Sequence, residues 1–254
     1  MLFRNQTPLL TQYRRDMILI PEGAFLRGGN EGDEKPTKKI MLSAYRIGKA
    51  PVTVALYEEF CRATGRTMPE PPVFNPKFEK KDHPIVNVSW DDAKALADWA
   101  KLTLPTEAQW EKAARGTEGR LYPWGKAKPA KGLGHFPLWL MPSKDLLNLP
   151  RTGTAPVGSF PKGASPYGCL DMAGNVWEWC ADWYSGHYYR EAPSKNPTGP
   201  LLAAAERHPL GPFRVVRGGC WGDITDEFQC SNRGWDPPKK KSDSTGIRLA
   251  APAR

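Results

Sequence analysis

The most informative segment of the chain reads Asp171-Met172-Ala173-Gly174-Asn175-Val176-Trp177-Glu178-Trp179. It places two tryptophans on either side of a carboxylate. Because exposing an indole to water is costly, we expect both tryptophans to pack inward and to hold Glu178 beside them. A carboxylate in such surroundings needs a partner. Two partners suit these residues equally well: a metal ion bound together with Asp171, or backbone amides that donate hydrogen bonds.

The overall composition predicts a globular domain with many irregular loops. The chain has 254 residues, of which 40% are hydrophobic and 25% are charged. Its 26 prolines and 24 glycines are more than a helical protein would carry, and they indicate frequent turns. No window approaches the roughly 18 apolar residues that cross a bilayer, so we expect no membrane span.

The N-terminal residues, the cysteine content and the net charge indicate the expected cellular location of the protein and its expected class of partner. The N-terminus lacks the apolar region of a signal peptide, so a cytoplasmic location is the default expectation, and surface display by another route stays open. Five cysteines at irregular spacing predict reduced thiols. The net charge is +9, but the basic residues are scattered. Nucleic acid is therefore not the expected partner.

The succession of apolar runs and turn residues along the chain predicts one domain over residues 17–254, preceded by an N-terminal extension over residues 1–16. No internal repeat or low-complexity linker divides the domain. Apolar runs between turn residues predict short strands. These cover residues 17–20, 24–27, 40–42, 45–47 and 213–216.

Three helices have clear start and stop signals. The first begins near Thr53 and ends at Gly65. The second and third begin with the spacing of a capping box, at Ser89 and Thr106, and the third ends at Gly116. Beyond the third helix regular periodicity disappears, which predicts long structured loops.

The Gly-Asn-Val-Trp-Glu-Trp motif closely resembles the signature of the formylglycine-generating-enzyme family, also called the sulfatase-modifying-factor family. Further segments resemble the family in order along nearly the whole chain. They cover residues 25–29, 33–36, 47–53, 83–93, 104–111, 113–116, 154–160, 217–221 and 246–250. The resemblance implies an α+β protein with the C-type-lectin-like fold of that family: a small twisted antiparallel sheet, about three helices and much irregular loop.

The resemblance also implies a structural calcium site. The ligands of the family fall on the side chains of Asp171 and Glu178 and on the backbone carbonyls of Gly174 and Val176. Such an oxygen-only set suits a hard cation. A second calcium site of the family corresponds to the region around residues 144–149, where no ligands can be assigned.

The catalytic copper site of the family is not matched. Formylglycine-generating enzymes hold copper with two cysteines, separated by four residues, that follow a Gly-Gly-Ser-Trp-like turn; two thiolates suit Cu(I). Here residues 221–228 contain no cysteine. Cys220 stands where the family usually has serine, and nine residues separate it from Cys230. We therefore expect a non-catalytic relative that binds no copper, while a redox role of these two cysteines stays open.

The C-terminal cassette, residues 220–245, is the predicted ligand-binding region. Two strand-like segments bracket it, and it mixes aromatic with adaptable polar side chains, as recognition surfaces do. The candidates are Trp221, Asp223, Asp226, Phe228, Asn232, Trp235, Asp236, Lys239, Lys240, Ser242, Asp243 and Ser244. For Trp221 a place in the core is favoured, while core and surface suit Phe228, Asn232 and Trp235 equally.

A C-terminal cassette on this fold resembles the variable proteins of diversity-generating retroelements, in which a reverse transcriptase rewrites the last stretch of the gene. The leading hypothesis is therefore a ligand-binding protein that recognises a protein or another macromolecule through the cassette. Two alternatives remain. One is an oxygen- and copper-dependent oxidase of the formylglycine-generating type with rearranged cysteines, and the other is a structural accessory domain in a cytoplasmic assembly.

Overall fold

The computed structural model describes residues 7–137, 153–202, 211–223 and 225–253. Its strands are β1 (Ile18–Ile20), β2 (Gly23–Arg27), β3 (Lys38–Leu42), β4 (Tyr45–Ile47), β5 (Trp177–Trp183), β6 (Arg214–Arg217), β7 (Gly234–Asp236), β8 (Thr245–Gly246) and β9 (Ala250–Pro252). They form three small sheets, in the orders β1-β4-β9, β2-β3 and β7-β6-β5-β8. All strand pairs are antiparallel except β5 with β8, which is parallel.

The described residues contain five α-helices, which confirms an α+β architecture. They are α1 (Pro8–Arg15), α2 (Val54–Thr64), α3 (Trp90–Trp99), α4 (Glu107–Arg115) and α5 (Tyr188–Glu191). The three predicted helices are confirmed as α2, α3 and α4. Ser89 and Thr106 form the predicted capping boxes, and Gly65 ends α2 in the left-handed conformation. The prediction did not include α1 and α5.

The predicted N-terminal extension is packed onto the domain from Pro8 onwards. Leu10, in α1, is buried, and the helix lies against α2. The Tyr13 hydroxyl accepts a hydrogen bond from the Leu249 amide at 3.0 Å. Residues 8–15 are therefore an integral part of the fold, because their apolar side chains and this hydrogen bond join the first helix to the end of the chain.

Two apolar cores lie on the two sides of the four-stranded sheet. One contains α2 and α3, and the other contains α4 with β1 to β4. Trp179 is fully buried in the first core, and Trp177, half-buried, packs against it. Glu178 points to the opposite side, as strand alternation requires, and is also fully buried.

The length and hydropathy of the described helices give no sign of a membrane span. Among the described residues, no helix is long and apolar enough to cross a bilayer.

Candidate functional site

The cassette begins where β6 ends in a glycine turn. Gly218 and Gly219 have φ angles of 107° and 71°, a region that favours glycine. A Cβ on Gly219 would lie 2.8 Å from the ring of Phe228. The turn therefore needs glycine for its backbone and for this close approach. The cassette continues through a 3-10 turn at Thr225–Phe228 into β7 and β8.

A buried ion network lies beneath the cassette, and we call its four residues Arg217, Arg233, Glu107 and Glu111 the charged frame. Arg217 donates from Nη2 to Glu111 Oε2 at 3.0 Å and from Nη1 to Glu107 Oε1 at 3.3 Å. Arg233 donates to both oxygens of Glu107, at 2.8 and 3.0 Å. Such bidentate, charge-assisted bonds offset much of the cost of removing four charges from water.

The charged frame also fixes the backbone of the cassette. Arg217 donates to the carbonyls of Cys230 at 2.6 Å and Ser231 at 3.0 Å. Arg233 reaches out of the cassette to the carbonyl and carboxylate of Asp33, both at 3.1 Å. The frame therefore joins the cassette to α4 and to the loop after β2.

The electrostatics of the frame favour its charged state. Burial by itself would raise the pKa of Glu107, but Arg233 and Arg217 outweigh that effect and hold the pKa below its ordinary value. The two arginines therefore favour the ionised form of Glu107 in the folded protein.

The predicted ligand-binding residues divide by exposure. Four side chains, which we call the exposed set, lie at the surface: Asp226, Trp235, Lys239 and Lys240. Trp235 is 37% exposed and rests on Phe213, with the ring centroids 4.4 Å apart. Seven are half-buried: Trp221, Asp223, Asn232, Asp236, Ser242, Asp243 and Ser244.

Phe228 corrects the predicted set. Its side chain is fully buried and packs against Phe136, with the ring centroids 4.7 Å apart. The ring also fills the space beside Gly219. Phe228 is therefore a core residue, because the glycine turn folds the cassette back over it.

The half-buried candidates make bonds within the cassette or next to it. Asp223 accepts a hydrogen bond from the Cys220 amide at 2.7 Å. Asn232 donates to the carboxylate of Glu227 at 2.6 Å. The indole of Trp221 packs edge-on against Phe74, which agrees with the preference for the core at this position. These half-buried side chains stabilise the conformation of the cassette more than they offer a contact surface to a partner.

Three of the predicted calcium ligands, Asp171, Gly174 and Val176, lie in the loop before β5, whereas Glu178 lies in β5 itself and is already paired with an arginine. Arg248 donates to both oxygens of Glu178 at 2.7 Å, and Trp110 Nε1 donates to Oε2 at 2.6 Å. Neither a metal nor a backbone amide is thus needed as a partner. Among the described residues, no group of three or more His, Cys, Asp and Glu could hold a metal ion.

Asp171 differs from Glu178 in having an unsatisfied oxygen. Its Oδ2 accepts a hydrogen bond from the Gly158 amide at 2.6 Å, whereas its buried Oδ1 has no hydrogen-bond partner among the described residues. Burial raises the pKa of Asp171 to about 6. Gly174 and Val176 are also buried. The residues fit a calcium ion only in part, because Asp171 has a free oxygen while Glu178 is held by Arg248. Calcium stays a prediction.

All five cysteines are buried free thiols. Burial raises the pKa of the Cys220 thiol, near the carboxylate of Asp223, and raises that of Cys230 to about 12. Protonated thiols are poor nucleophiles and poor metal ligands. Burial therefore favours the protonated thiol over the thiolate at both positions.

Sequence reasoning missed a cleft of about 500 Å³ beside the cassette. One wall consists of cassette residues from Asp226 to Asn232, and the other of the loop after β2 and the segment after α4. Of the twelve predicted residues, only Asp226 and Asn232 line it. The walls come from segments nearly 200 positions apart, so no local pattern in the sequence indicates the cleft.

Comparisons with known proteins agree with this architecture. The family model described as a sulfatase-modifying factor enzyme 1-like domain matches residues 5–253. The formylglycine-generating enzyme of Thermomonospora curvata is 32% identical, and the match covers 93% of each chain. The serine/threonine-protein kinase pkn1 of Chlamydia caviae is 33% identical over 96% of this chain, which spans 38% of that protein's length.

Two solved structures share the fold. PvdO from Pseudomonas aeruginosa has a TM-score of 0.73 at 24% identity, with 93% of this chain and 94% of that chain covered. Treponema denticola variable protein 1 has a TM-score of 0.69 at 22% identity, with the same coverage. Proteins with different names thus use one scaffold, so membership assigns no reaction by itself. The chain belongs to the sulfatase-modifying-factor, or formylglycine-generating-enzyme, family and has its C-type-lectin-like fold.

Proposed function

We propose that this protein is a non-catalytic binding module that recognises a macromolecular partner through the exposed set of its cassette. The observation that carries the proposal is the division of one segment into two kinds of residue. Arg233 holds the cassette to the core, whereas Lys239 and Trp235 are exposed and Lys240, also exposed, pairs with Asp236 within the cassette. Recognition surfaces combine a rigid frame with such aromatic and adaptable polar side chains.

The state of the thiols supports a function without catalysis. The family's copper chemistry needs two thiolates a few residues beyond the glycine turn. In this chain residues 221–228 supply none, and the nearest cysteines, Cys220 and Cys230, are buried, which raises the pKa of both thiols and favours their protonated form. A test for oxygen consumption with copper and a thiol-containing peptide should therefore give no turnover.

Selection from a random-peptide library tests the binding proposal. Peptides enriched on the immobilised protein should bind a triple variant, Trp235→Ser with Lys239→Ser and Lys240→Ser, at least about tenfold more weakly. A matched variant changes two exposed residues outside the cassette, Lys94→Ser and Lys101→Ser. Equal affinity for the wild type and the triple variant would contradict recognition through the exposed set.

Diversification of the cassette by a retroelement is a finer form of the same proposal. It predicts a near-copy of codons 215–250 in the flanking DNA that differs mainly at adenines, next to a reverse-transcriptase gene. The codons that differ should encode the exposed set and spare Arg233 and Phe228. A copy whose differences fall on these two buried residues would contradict the proposal.

Structural calcium belongs to the proposal as a stabilising element. A chelator should lower the melting temperature of the wild type, because an ion that binds only the folded state stabilises it. The chelator should change the melting temperature of Asp171→Asn very little, because this variant lacks the negative charge of the carboxylate whose oxygen has no hydrogen-bond partner among the described residues. Equal melting temperatures of the wild type with calcium and with chelator would argue against the site.

A further inference from the structure

The cleft beside the cassette differs in character from the rest of this basic protein. Three carboxylates line it: Glu31 and Glu34 on the loop after β2, and Asp226 on the cassette. None of the three forms an ion pair within the described part of the chain, and the neighbouring arginines Arg115 and Arg233 pair with Glu111 and Asp33 instead. A concave site of one sign favours a ligand of the opposite charge.

The single arginine in the lining does not offset this charge. Arg115 pairs with the buried carboxylate of Glu111 at 2.8 Å and donates to the Gly28 carbonyl at 2.6 Å. It also donates to the carbonyls of Gly119 at 3.2 Å and Arg120 at 3.3 Å. Its charge and its donors are therefore committed to the wall of the cleft, and the carboxylates remain available to a ligand.

Glu34 is the carboxylate that would gain most from a cation. It is half-buried, and burial raises its pKa although Ser231 donates a hydrogen bond to it. Gly29 lies against it so closely that a Cβ there would come 1.8 Å from Glu34 Oε2. Because residue 29 is glycine, the Glu34 carboxylate fits against the backbone at the cleft wall. A positively charged group of a ligand would replace part of the hydration that this carboxylate has lost.

Apolar surface accompanies the carboxylates. Leu26 and Leu121, both in the lining, are 40% and 39% exposed. Large aliphatic side chains at the mouth of a charged cleft suit a ligand that has an aliphatic stem and a cationic head. Lysine and arginine side chains have this construction.

We propose that the cleft binds a lysine or arginine side chain of a partner protein, with its stem against Leu26 and Leu121 and its head at Glu31, Glu34 and Asp226. This inference rests on the proposed binding function and names the chemistry of its ligand. A volume of about 500 Å³ is large enough for a side chain with its flanking backbone. Phosphate-bearing ligands do not fit, because three carboxylates would repel them.

The experiment uses a random 12-residue peptide library, selected in parallel on the wild type and on the double variant Glu31→Gln with Asp226→Asn. Both side chains are exposed, so the fold tolerates the change. We expect lysine and arginine to be enriched on the wild type but not on the variant. Individual wild-type peptides should bind the variant about tenfold more weakly, since each loses charge-assisted hydrogen bonds.

A matched control removes two other exposed carboxylates, Glu70→Gln with Glu79→Gln, and should leave affinity within about twofold, because distant exposed charges are screened by salt. Equal weakening by the control would overturn the cleft, because it would show a general charge effect. Spermidine in excess should compete only weakly, since it lacks a peptide backbone; full displacement by spermidine would show a small-amine site and overturn the peptide assignment.

The failure of this inference differs from the failure of the proposed function. Peptides that ignore the cleft variant but lose affinity for the triple variant at Trp235, Lys239 and Lys240 would overturn the cleft and leave recognition by the exposed set intact. Enriched peptides without basic residues would have the same meaning. A library from which no peptide is enriched on the wild type would overturn both.

Discussion

The charged frame and the exposed set meet in the cassette, where Arg233 belongs to the frame and Lys239 to the exposed set, and the two residues differ in burial and in bonding. Arg233 is buried, bonded to Glu107 and Asp33, and stacked on Tyr189, with its guanidinium carbon 4.1 Å from the ring centroid. Lys239, six residues later, is exposed. The two cations contribute one positive charge each, yet one holds the fold and the other is free to contact a partner.

This difference shows how one segment can carry both stability and recognition. The residues that hold the cassette make their bonds inward, to α4 and to the loop after β2. The exposed set contributes little to these bonds, so its side chains can change while the backbone stays in place. The charged frame is therefore the feature that would let a binding surface vary.

The largest expected effect comes from Arg233→Met. Removing one partner of a buried ion pair leaves Glu107 with an uncompensated charge, and we expect a loss of about 3–5 kcal/mol in the free energy of unfolding. Chemical denaturation measures this change. Lys239→Met is the matched control on the exposed set and should leave the denaturation midpoint nearly unchanged. Similar losses of stability in both variants would contradict the difference between the charged frame and the exposed set.

Phe228→Ala is the next largest test. The ring is fully buried against Phe136 and Gly219, so truncation should leave a cavity and cost about 3 kcal/mol. Trp235→Ala removes a partly exposed ring and should cost less, about 1 kcal/mol. If the two variants lost equal stability, Trp235 would belong to the core and would leave the exposed set.

A smaller effect concerns the pH dependence of stability near the frame. Asp182 accepts a hydrogen bond from the Glu107 amide, and burial together with the nearby Glu107 carboxylate raises its pKa to about 7. A raised carboxyl pKa means that the folded state holds the proton more tightly. This contribution to stability is present at acidic pH and is lost as pH rises towards 7.

Asp182→Asn tests that sign directly. Asparagine keeps the hydrogen-bond acceptor but cannot ionise, so the variant should gain stability relative to the wild type between pH 5 and pH 8. The expected gain is on the order of 1 kcal/mol, measured by denaturation at several pH values. Parallel pH profiles of the two proteins would show that Asp182 is ionised throughout this range.

The sequence predicted the helices well where their signals are local. The capping boxes at Ser89 and Thr106 and the glycine at position 65 act within one turn of the chain, so their pattern is visible in a few residues. Helix α1 was missed because the contacts that hold it come from distant parts of the chain: it packs against α2, and Tyr13 accepts a hydrogen bond from Leu249, 236 positions away.

The candidate site was less predictable because its bonds join distant segments. Arg217 and Glu111 are 106 positions apart, and Glu178 and Arg248 are 70 apart. The sequence showed that Glu178 needs a partner but not which one. Glu107 and Glu111 offered a weak signal, since they lie one turn apart on a helix face that also carries Trp110 and Ala114. Only the folded structure brings Arg217 and Arg233 next to these two carboxylates.

The most direct measurement of the central claim is the melting temperature of the triple variant with Trp235, Lys239 and Lys240 changed to serine, beside its affinity for peptides selected on the wild type. We expect a melting temperature within a few degrees of the wild type and an affinity reduced at least about tenfold. An unfolded variant, or a folded one that binds as tightly as the wild type, would contradict the separation of the charged frame from the exposed set.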